Sequence, residues 1–166
     1  PQAIWLKMCI AVANARIGED AAVDTTLHDM IAQHSQHDQV VETLFRVGRT
    51  YEKLERYDKA SPIYQYVVDH LADKPDAIKA HTSLARSLIY LKEDPAAESH
   101  TQLLIERYNG KKELPYYLNQ IGNTYFQQKH YPQAKSVSEY VLTHHSGDNQ
   151  AVLAQKNLIL CHLRLN

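Results

Sequence analysis

The sequence predicts an all-α protein in which antiparallel helix pairs stack into an α-solenoid. Three observations predict this fold: a composition that favours helices, a repeat of 37 residues, and helical spacing of the apolar residues inside each repeat. The chain has only five glycines, whereas Leu, Ala, Gln, Lys and Glu are plentiful. A repeat of about 20 to 50 residues is typical of solenoids and other arrays.

The repeat is clearest between two stretches that lie 74 residues apart, VGRTYEKLERYDKA from Val47 and IGNTYFQQKHYPQA from Ile121. Halving the interval reveals intermediate copies. A column of mostly small residues contains Ala11, Gly48, Ala85, Gly122 and Ile159, and the column before it contains Ile10, Val47, Leu84, Ile121 and Leu158. Small residues therefore recur at small positions and large apolar residues at large ones, as stacked copies of one structural unit require.

Each repeat contains two helical patterns, which we call the first and the second helix, separated by a short polar turn. In the second repeat this turn runs from Glu55 to Asp58. Glycine inside a helix costs about 1 kcal/mol relative to alanine. Gly48 and Gly122 therefore predict that a neighbouring helix approaches closely, with Ala60 and Ala134 as the small residues that face them.

The spacing of large, small and aromatic residues resembles the tetratricopeptide repeat family. The second repeat matches the motif at Leu44, Val47, Gly48, Tyr51, Ala60 and Tyr64, and the fourth matches it at Leu118, Ile121, Gly122, Tyr125 and Ala134, with Ser138 at the aromatic position. The family's usual period is about 34 residues, and lengthened repeats of this kind are similar to those of bacterial envelope and assembly factors. The resemblance implies a right-handed α-solenoid of about four repeats plus a final helix.

We expect one domain over residues 1–166, with repeats at about 3–37, 38–75, 76–112 and 113–148 and a final helix at 149–166. The first residue is Pro1 rather than Met, so we expect a segment excised from a longer chain. Cys9 and Cys161 are expected to be buried as small apolar residues. They do not identify the compartment, which could be the cytoplasm or the bacterial periplasm.

The charge balance argues against nucleic acid as a partner, because 18 basic residues stand against 19 acidic ones. A broad nucleic-acid surface requires a basic excess. The sequence also contains no apolar run of about 18 to 20 residues, the length that a membrane-spanning helix needs. We therefore expect no direct insertion into a membrane.

Catalytic and metal-binding interpretations are weak, and we expect neither an enzyme nor a cofactor. The sequence has no Gly-rich phosphate loop, GxSxG motif or HExxH motif. The pairs Glu19-Asp20 and Glu93-Asp94 lie in turns, where N-capping is a simpler role than acid catalysis. His34 and His37 are three residues apart, yet they flank a connection between helices, so we expect surface or capping histidines.

In the resembled family the first helices line a concave groove, and this implies a peptide-binding face. Our candidate groove residues are Phe45, Arg49, Lys53, Arg86, Tyr90, Tyr116, Asn119, Asn123 and Phe126. Guanidinium and amide groups suit carboxylates and peptide backbones, and aromatic residues supply much of the energy at interfaces. The expected partner is a protein or peptide with acidic groups. The alternative is that Arg49 and Arg86 are solvated or pair with Glu52 and neighbouring carboxylates.

A second hypothesis about function is a structural or regulatory segment of a larger enzyme or envelope assembly. The first and last predicted helices are rich in apolar residues, including Trp5, Leu6, Leu160 and Leu163. Terminal repeats normally carry polar caps. Such apolar ends favour flanking repeats or end-to-end self-association.

Overall fold

The computed structural model describes residues 2–165, and the only regular secondary structure in this range is helical. Its nine helices are α1 (Gln2–Ile17), α2 (Asp20–His34), α3 (Gln39–Lys53), α4 (Tyr57–His70), α5 (Ala77–Tyr90), α6 (Asp94–Arg107), α7 (Leu114–Gln127), α8 (Tyr131–His144) and α9 (Gln150–Leu165). The second helices begin at residues 20, 57, 94 and 131, each 37 residues after the last. The predicted all-α fold of successive helices is confirmed.

The turn inside each helix pair has one backbone geometry throughout. One residue per turn is left-handed, with φ between 57° and 85°: Gly18, Glu55, Lys92 and Lys129. The next residue donates its N–H to the carbonyl five residues earlier, at 2.9 to 3.0 Å. This is the Schellman geometry that ends helices. The same turn recurs at an interval of 37 residues, and the two helices that it joins pack together in the pairs α1–α2, α3–α4 and α7–α8.

Replacing Lys129 by glycine is expected to stabilise its turn, because Lys129 adopts the left-handed conformation that favours glycine. That conformation costs a non-glycine residue about 1 kcal/mol or more, so Lys129→Gly should raise the free energy of unfolding by about 0.5 to 1 kcal/mol. Gly18→Ala is the reverse control, because an added Cβ meets no atom within 4 Å and only the conformation changes. Urea denaturation measures both effects, and a Lys129→Gly variant less stable than the parent would contradict the assignment.

The chain divides into two compact units, the first ending at Ser87 and the second beginning at Leu88, within α5. In the first unit α1 packs against α2 and α3, and α3 packs against α4. The core of this unit contains Ile4, Ala11, Ala15, Val23, Leu27, Met30, Val40, Leu44, Val47, Tyr51, Ala60, Tyr64 and Val67. No helix within residues 2–165 is long and apolar enough to cross a membrane.

The close approach expected at Gly48 is present, but the nearest group is the ring of Tyr64 rather than Ala60. A Cβ added to Gly48 would lie 2.5 Å from Cε1 of this ring. Tyr64 is fully buried, and its ring stacks at a tilt against Phe45, with centroids 6.2 Å apart. Gly48 therefore makes room for a tyrosine that in turn supports Phe45.

In the second unit α7 and α8 pack together, and α9 packs against both. Its core contains Ala97, Leu104, Leu114, Leu118, Ile121, Tyr125, Ala134, Val141, Ala154 and Cys161. A Cβ added to Gly122 would lie 3.5 Å from Val137 and 3.9 Å from the carbonyl oxygen of Ala134. These distances are ordinary contacts, because Ser138 occupies the position that Tyr64 holds in the first unit.

The acidic pairs do not cap their helices, so this prediction is wrong. Glu19 and Glu93 occupy the N-cap positions without a side-chain capping bond. Asp20 instead accepts hydrogen bonds from the guanidinium of Arg56 and, at 3.0 Å, from the hydroxyl of Tyr51. The hydrogen bonds from Arg56 are the main reason that the pKa of Asp20 is lowered. The Asp20 carboxylate therefore binds side chains that are distant in sequence instead of the backbone N–H groups at the start of its own helix.

In the second unit the counterpart of this cluster has a different arrangement. Asp94 takes the place of Asp20, and its Oδ1 lies 2.8 Å from Nδ1 of His130. Arg56 and His130 occupy the same position in the repeat, directly after the left-handed turn residue. In the first unit the start of α2 is therefore joined to the turn before α4. In the second unit the start of α6 is joined to the turn before α8, through different side chains.

Candidate functional site

A groove runs between α1 and α3, the first helices of the first two repeats. It consists of two neighbouring cavities of about 410 and 420 Å³ that share Met8, Glu42 and Arg46 as lining residues. Gln2 and Gln39 line one end, whereas Arg16 and Lys53 line the other. The two helices therefore run in the same direction along the groove, which we call the α1–α3 groove.

The end of the groove formed by the carboxyl ends of the two helices is basic. It is lined by four cationic residues, Arg16, Arg46, Arg49 and Lys53, and by one carboxylate, Glu42. Glu42 is already neutralised, because its Oε1 accepts from Nε of Arg46 at 2.7 Å and Lys79 lies 4.0 Å from its Oε2. A net positive charge is left at this end.

Arg16, Arg49 and Lys53 are exposed and make no ion pair with any residue between 2 and 165. Arg49 does not pair with Glu52, and its exposure agrees with the other branch of the alternative, in which this residue is solvated. The guanidinium of Arg49 instead lies over the ring of Phe45, with 5.8 Å between Cζ and the ring centroid. Cation–π contact of this kind is attractive and leaves the guanidinium N–H groups available to a ligand.

The other end and the floor of the groove are apolar. Ile4, Trp5 and Met8 line the end near the start of α1, and Val12 and Phe45 line the basic part. The side chain of Trp5 is 63% exposed although it is the largest apolar residue in the chain. A ligand that covers Trp5 would remove a large apolar surface from water, which favours binding.

Three of the nine predicted groove residues, Phe45, Arg49 and Lys53, lie together in the α1–α3 groove. Arg86 is half-buried on α5 near the end of the first unit. Tyr90 is half-buried on the part of α5 that belongs to the second unit.

The other four predicted residues lie on α7 in the second unit. Tyr116 is exposed and its ring meets Tyr117 edge to face, and Phe126 packs in the same way against Tyr131.

The two asparagines predicted on α7 have partners on α9. Asn119 is 2% exposed and donates its amide to the carbonyl of Gln150 at 2.9 Å. Asn123 accepts a hydrogen bond from the amide of Asn157 at 2.7 Å. Both side chains therefore join α7 to α9, which does not favour the ligand-binding role predicted for them.

Six further residues line the groove, namely Trp5, Met8, Cys9, Val12, Arg16 and Arg46. The repeat predicts four of them, Trp5, Met8, Val12 and Arg16, because they precede Glu42, Phe45, Arg49 and Lys53 by 37 residues. Arg46 lies one turn before Thr50 and is directed into the groove by its pairing with Glu42. The repeat therefore predicts most of the wall formed by α1, whereas Cys9 and Arg46 lie outside the predicted repeat positions.

The histidines form no metal site within the described part of the chain, where no three His, Cys, Asp or Glu side chains could hold an ion together. Nδ1 of His37 accepts the backbone N–H of Gln39 at 3.2 Å, at the start of α3. His34 is the last residue of α2, and His144 is the last of α8. These positions agree with capping and surface roles.

No protein-family model and no curated protein matches this chain. The resemblance to tetratricopeptide repeats therefore remains a prediction, and the geometry of the groove carries the functional argument.

Proposed function

We propose that the chain is a protein–protein interaction scaffold that binds an acidic segment of a partner protein in the α1–α3 groove. The observation that carries this proposal is the set of three cations without carboxylate partners, Arg16, Arg49 and Lys53, beside an apolar floor. Carboxylates bind guanidinium groups through charge-assisted hydrogen bonds. The cavity volumes are within the range of pockets that hold small ligands or side chains.

The arrangement of the groove also specifies the order of groups in the ligand. Apolar side chains would contact Trp5 and Met8, and carboxylates would contact Arg49 and Lys53 at the opposite end. The simpler explanation for the cations is that Arg16 and Lys53 complement the dipoles of α1 and α3, whose last turns they occupy. That explanation does not account for the half-buried Val12 and Phe45 beside them or for the exposed Trp5 at the other end, whereas a binding groove does.

Binding of a defined peptide tests the proposal by fluorescence anisotropy. The probe is a fluorescein-labelled twelve-residue peptide with Phe and Leu near one end and four Glu near the other. The comparison peptide has Gln in place of every Glu. Because carboxylates would meet unpaired cations, we expect the Glu peptide to bind at least about tenfold more tightly.

Charge reversal identifies the site of binding. We expect the double substitution Arg16→Glu and Arg49→Glu to weaken binding of the Glu peptide by about 30-fold to 100-fold. The matched control is Lys112→Glu with Lys156→Glu, which reverses two exposed cations of the second unit. Circular dichroism checks that helicity is retained. Equal binding of both peptides, or unchanged binding by the groove variant, would refute the proposal.

Self-association is a second candidate function, favoured by apolar stripes on the first and last helices. Leu6, Ile10 and Ile17 are exposed on α1, and Val152, Ile159 and Leu163 are exposed on α9. In α3 the repeat positions of Leu6 and Ile10 are held by Thr43 and Val47, which are buried. Size-exclusion chromatography with light scattering tests this candidate: a monomer at every concentration would exclude it.

A further inference from the structure

A different groove lies in the second unit, between the second helices α6 and α8. It has a volume of about 510 Å³ and is lined by Glu98, Thr101, Gln102, Ile105, Tyr125, Pro132, Gln133, Ser136, Val137 and Tyr140. The lining contains only one charged residue, Glu98, in contrast to the α1–α3 groove. We call this cavity the α6–α8 groove.

A sequence difference at one repeat position contributes to the open space in this region. Tyr64 fills the position in the first unit, whereas the smaller Thr101 holds it in α6 and lines the α6–α8 groove. The Thr101 hydroxyl donates to the carbonyl of Ala97 in its own helix, at 2.7 Å. Its side chain therefore does not extend across the groove.

The floor of the α6–α8 groove contains a buried hydroxyl without a hydrogen-bond partner. Tyr125 is 1% exposed, and its hydroxyl oxygen forms no hydrogen bond of normal geometry with any residue between 2 and 165. The neighbouring Thr101 hydroxyl already donates its proton to Ala97. Leaving a buried hydroxyl unpaired is unfavourable, so a ligand that accepts a hydrogen bond from Tyr125 would gain free energy.

The corresponding tyrosine of the first unit has a hydrogen-bond acceptor that Tyr125 lacks. Tyr51, 74 residues earlier, donates to Oδ1 of Asp20 at 3.0 Å. The counterpart of Asp20 is Asp94, which is held by His130 instead. Tyr125 has therefore lost the acceptor that its equivalent uses, while remaining buried at the base of an open groove.

The negative charge of Glu98 at the α6–α8 groove favours a ligand that carries a positive charge. Glu98 is exposed and makes no ion pair within the described residues. Burial and the nearby Glu98 carboxylate raise the pKa of Tyr125 by more than the neighbouring Thr101 hydroxyl lowers it, so the Tyr125 hydroxyl remains a proton donor at neutral pH. The apolar walls are supplied by Ile105, Pro132 and Val137.

We propose that the α6–α8 groove binds a peptide segment in which one Lys or Arg lies between apolar residues. Glu98 would bind the cationic side chain, and the Tyr125 hydroxyl would donate to a main-chain carbonyl of the peptide. The flanking apolar side chains would contact Ile105 and Val137. This site is separate from the α1–α3 groove and has the opposite charge preference.

The test uses fluorescein-labelled nine-residue peptides with Leu and Val around a central Lys or a central Glu. We expect saturable binding of the Lys peptide, and binding of the Glu peptide at least about tenfold weaker. Tyr125→Phe and Glu98→Gln should each weaken binding of the Lys peptide about tenfold. Glu113→Gln, an exposed carboxylate outside the groove, is the matched control and should have no effect.

Two further measurements keep the outcome decisive. The midpoint of thermal unfolding of Tyr125→Phe should equal that of the parent, because no internal hydrogen bond is lost. Arg16→Glu with Arg49→Glu should leave binding of the Lys peptide unchanged, which separates this site from the proposed acidic-peptide groove. Absence of saturable binding, equal binding of the Lys and Glu peptides, or binding unaffected by both Tyr125→Phe and Glu98→Gln would overturn the proposal.

Discussion

Gly48→Ala is expected to lower the free energy of unfolding by about 1 to 3 kcal/mol, the usual cost of overpacking a core. The new methyl group would lie 2.5 and 2.6 Å from two ring carbons of Tyr64. That ring is fully buried and cannot move into solvent. Alanine would regain about 1 kcal/mol of helix propensity, which offsets only part of the clash. Urea denaturation monitored by circular dichroism measures the change.

Gly122→Ala is the matched control, because this glycine occupies the same repeat position in α7. Its added Cβ would make only ordinary contacts, the nearest at 3.5 Å from Val137. We therefore expect unchanged stability or a gain of up to about 1 kcal/mol. A second test uses Tyr64→Ser, which copies Ser138: in that background Gly48→Ala should lose most of its cost. Equal destabilisation by the two glycine substitutions would show that Tyr64 is not the cause.

Tyr51→Phe is expected to lower the free energy of unfolding by about 1.5 to 2 kcal/mol, because it removes a hydrogen bond to a charged acceptor. The Tyr51 hydroxyl is buried and donates to Asp20, and the guanidinium of Arg56 lies 5.2 Å from the ring centroid. Phenylalanine keeps the ring and its packing, so the loss isolates the hydroxyl. Chemical denaturation, compared with the parent protein, gives the value.

Tyr125→Phe provides the comparison within the same chain and should not destabilise the protein. Its hydroxyl forms no hydrogen bond of normal geometry with any residue between 2 and 165, so the substitution removes only an unpaired buried group. The two variants have the same chemistry at equivalent repeat positions, and only their acceptors differ. A loss for Tyr125→Phe as large as that for Tyr51→Phe would mean that Tyr125 has an internal partner.

Much of the fold could be predicted from the sequence because one packing solution recurs every 37 residues. Small and large apolar residues each recur in fixed columns every 37 residues, and the second helices begin at the same interval. The N-capping prediction for the acidic pairs was wrong although Asp is a common N-cap residue, because the Asp side chains have other partners. Asp20 and Asp94 instead bind Arg56 and His130, which lie 36 residues away in sequence. Local sequence does not reveal such partners.

The candidate site was only partly predictable for a similar reason. Phe45, Arg49 and Lys53 lie on one face of α3, and helical spacing alone places them together. The opposite wall contains Met8, Val12 and Arg16 of α1, which hold the same repeat positions 37 residues earlier. Asn119 and Asn123 occupy the expected face of α7, but hydrogen bonds to α9 use their side chains. Helical spacing therefore predicts which residues lie close together on one face of a helix. It does not predict which of their side chains are free of hydrogen bonds to other helices and can bind a ligand.

The most direct test of the central claim is an NMR titration that locates the bound acidic peptide. The ¹⁵N-labelled protein would be titrated with the Glu peptide, and the backbone amide shifts of all helices would be followed. We predict the largest changes in α1 and α3, around Arg16, Phe45 and Arg49, with no comparable change for the Gln peptide. Shifts confined to α6 to α9, or equal shifts with both peptides, would contradict an acidic-peptide site in the α1–α3 groove.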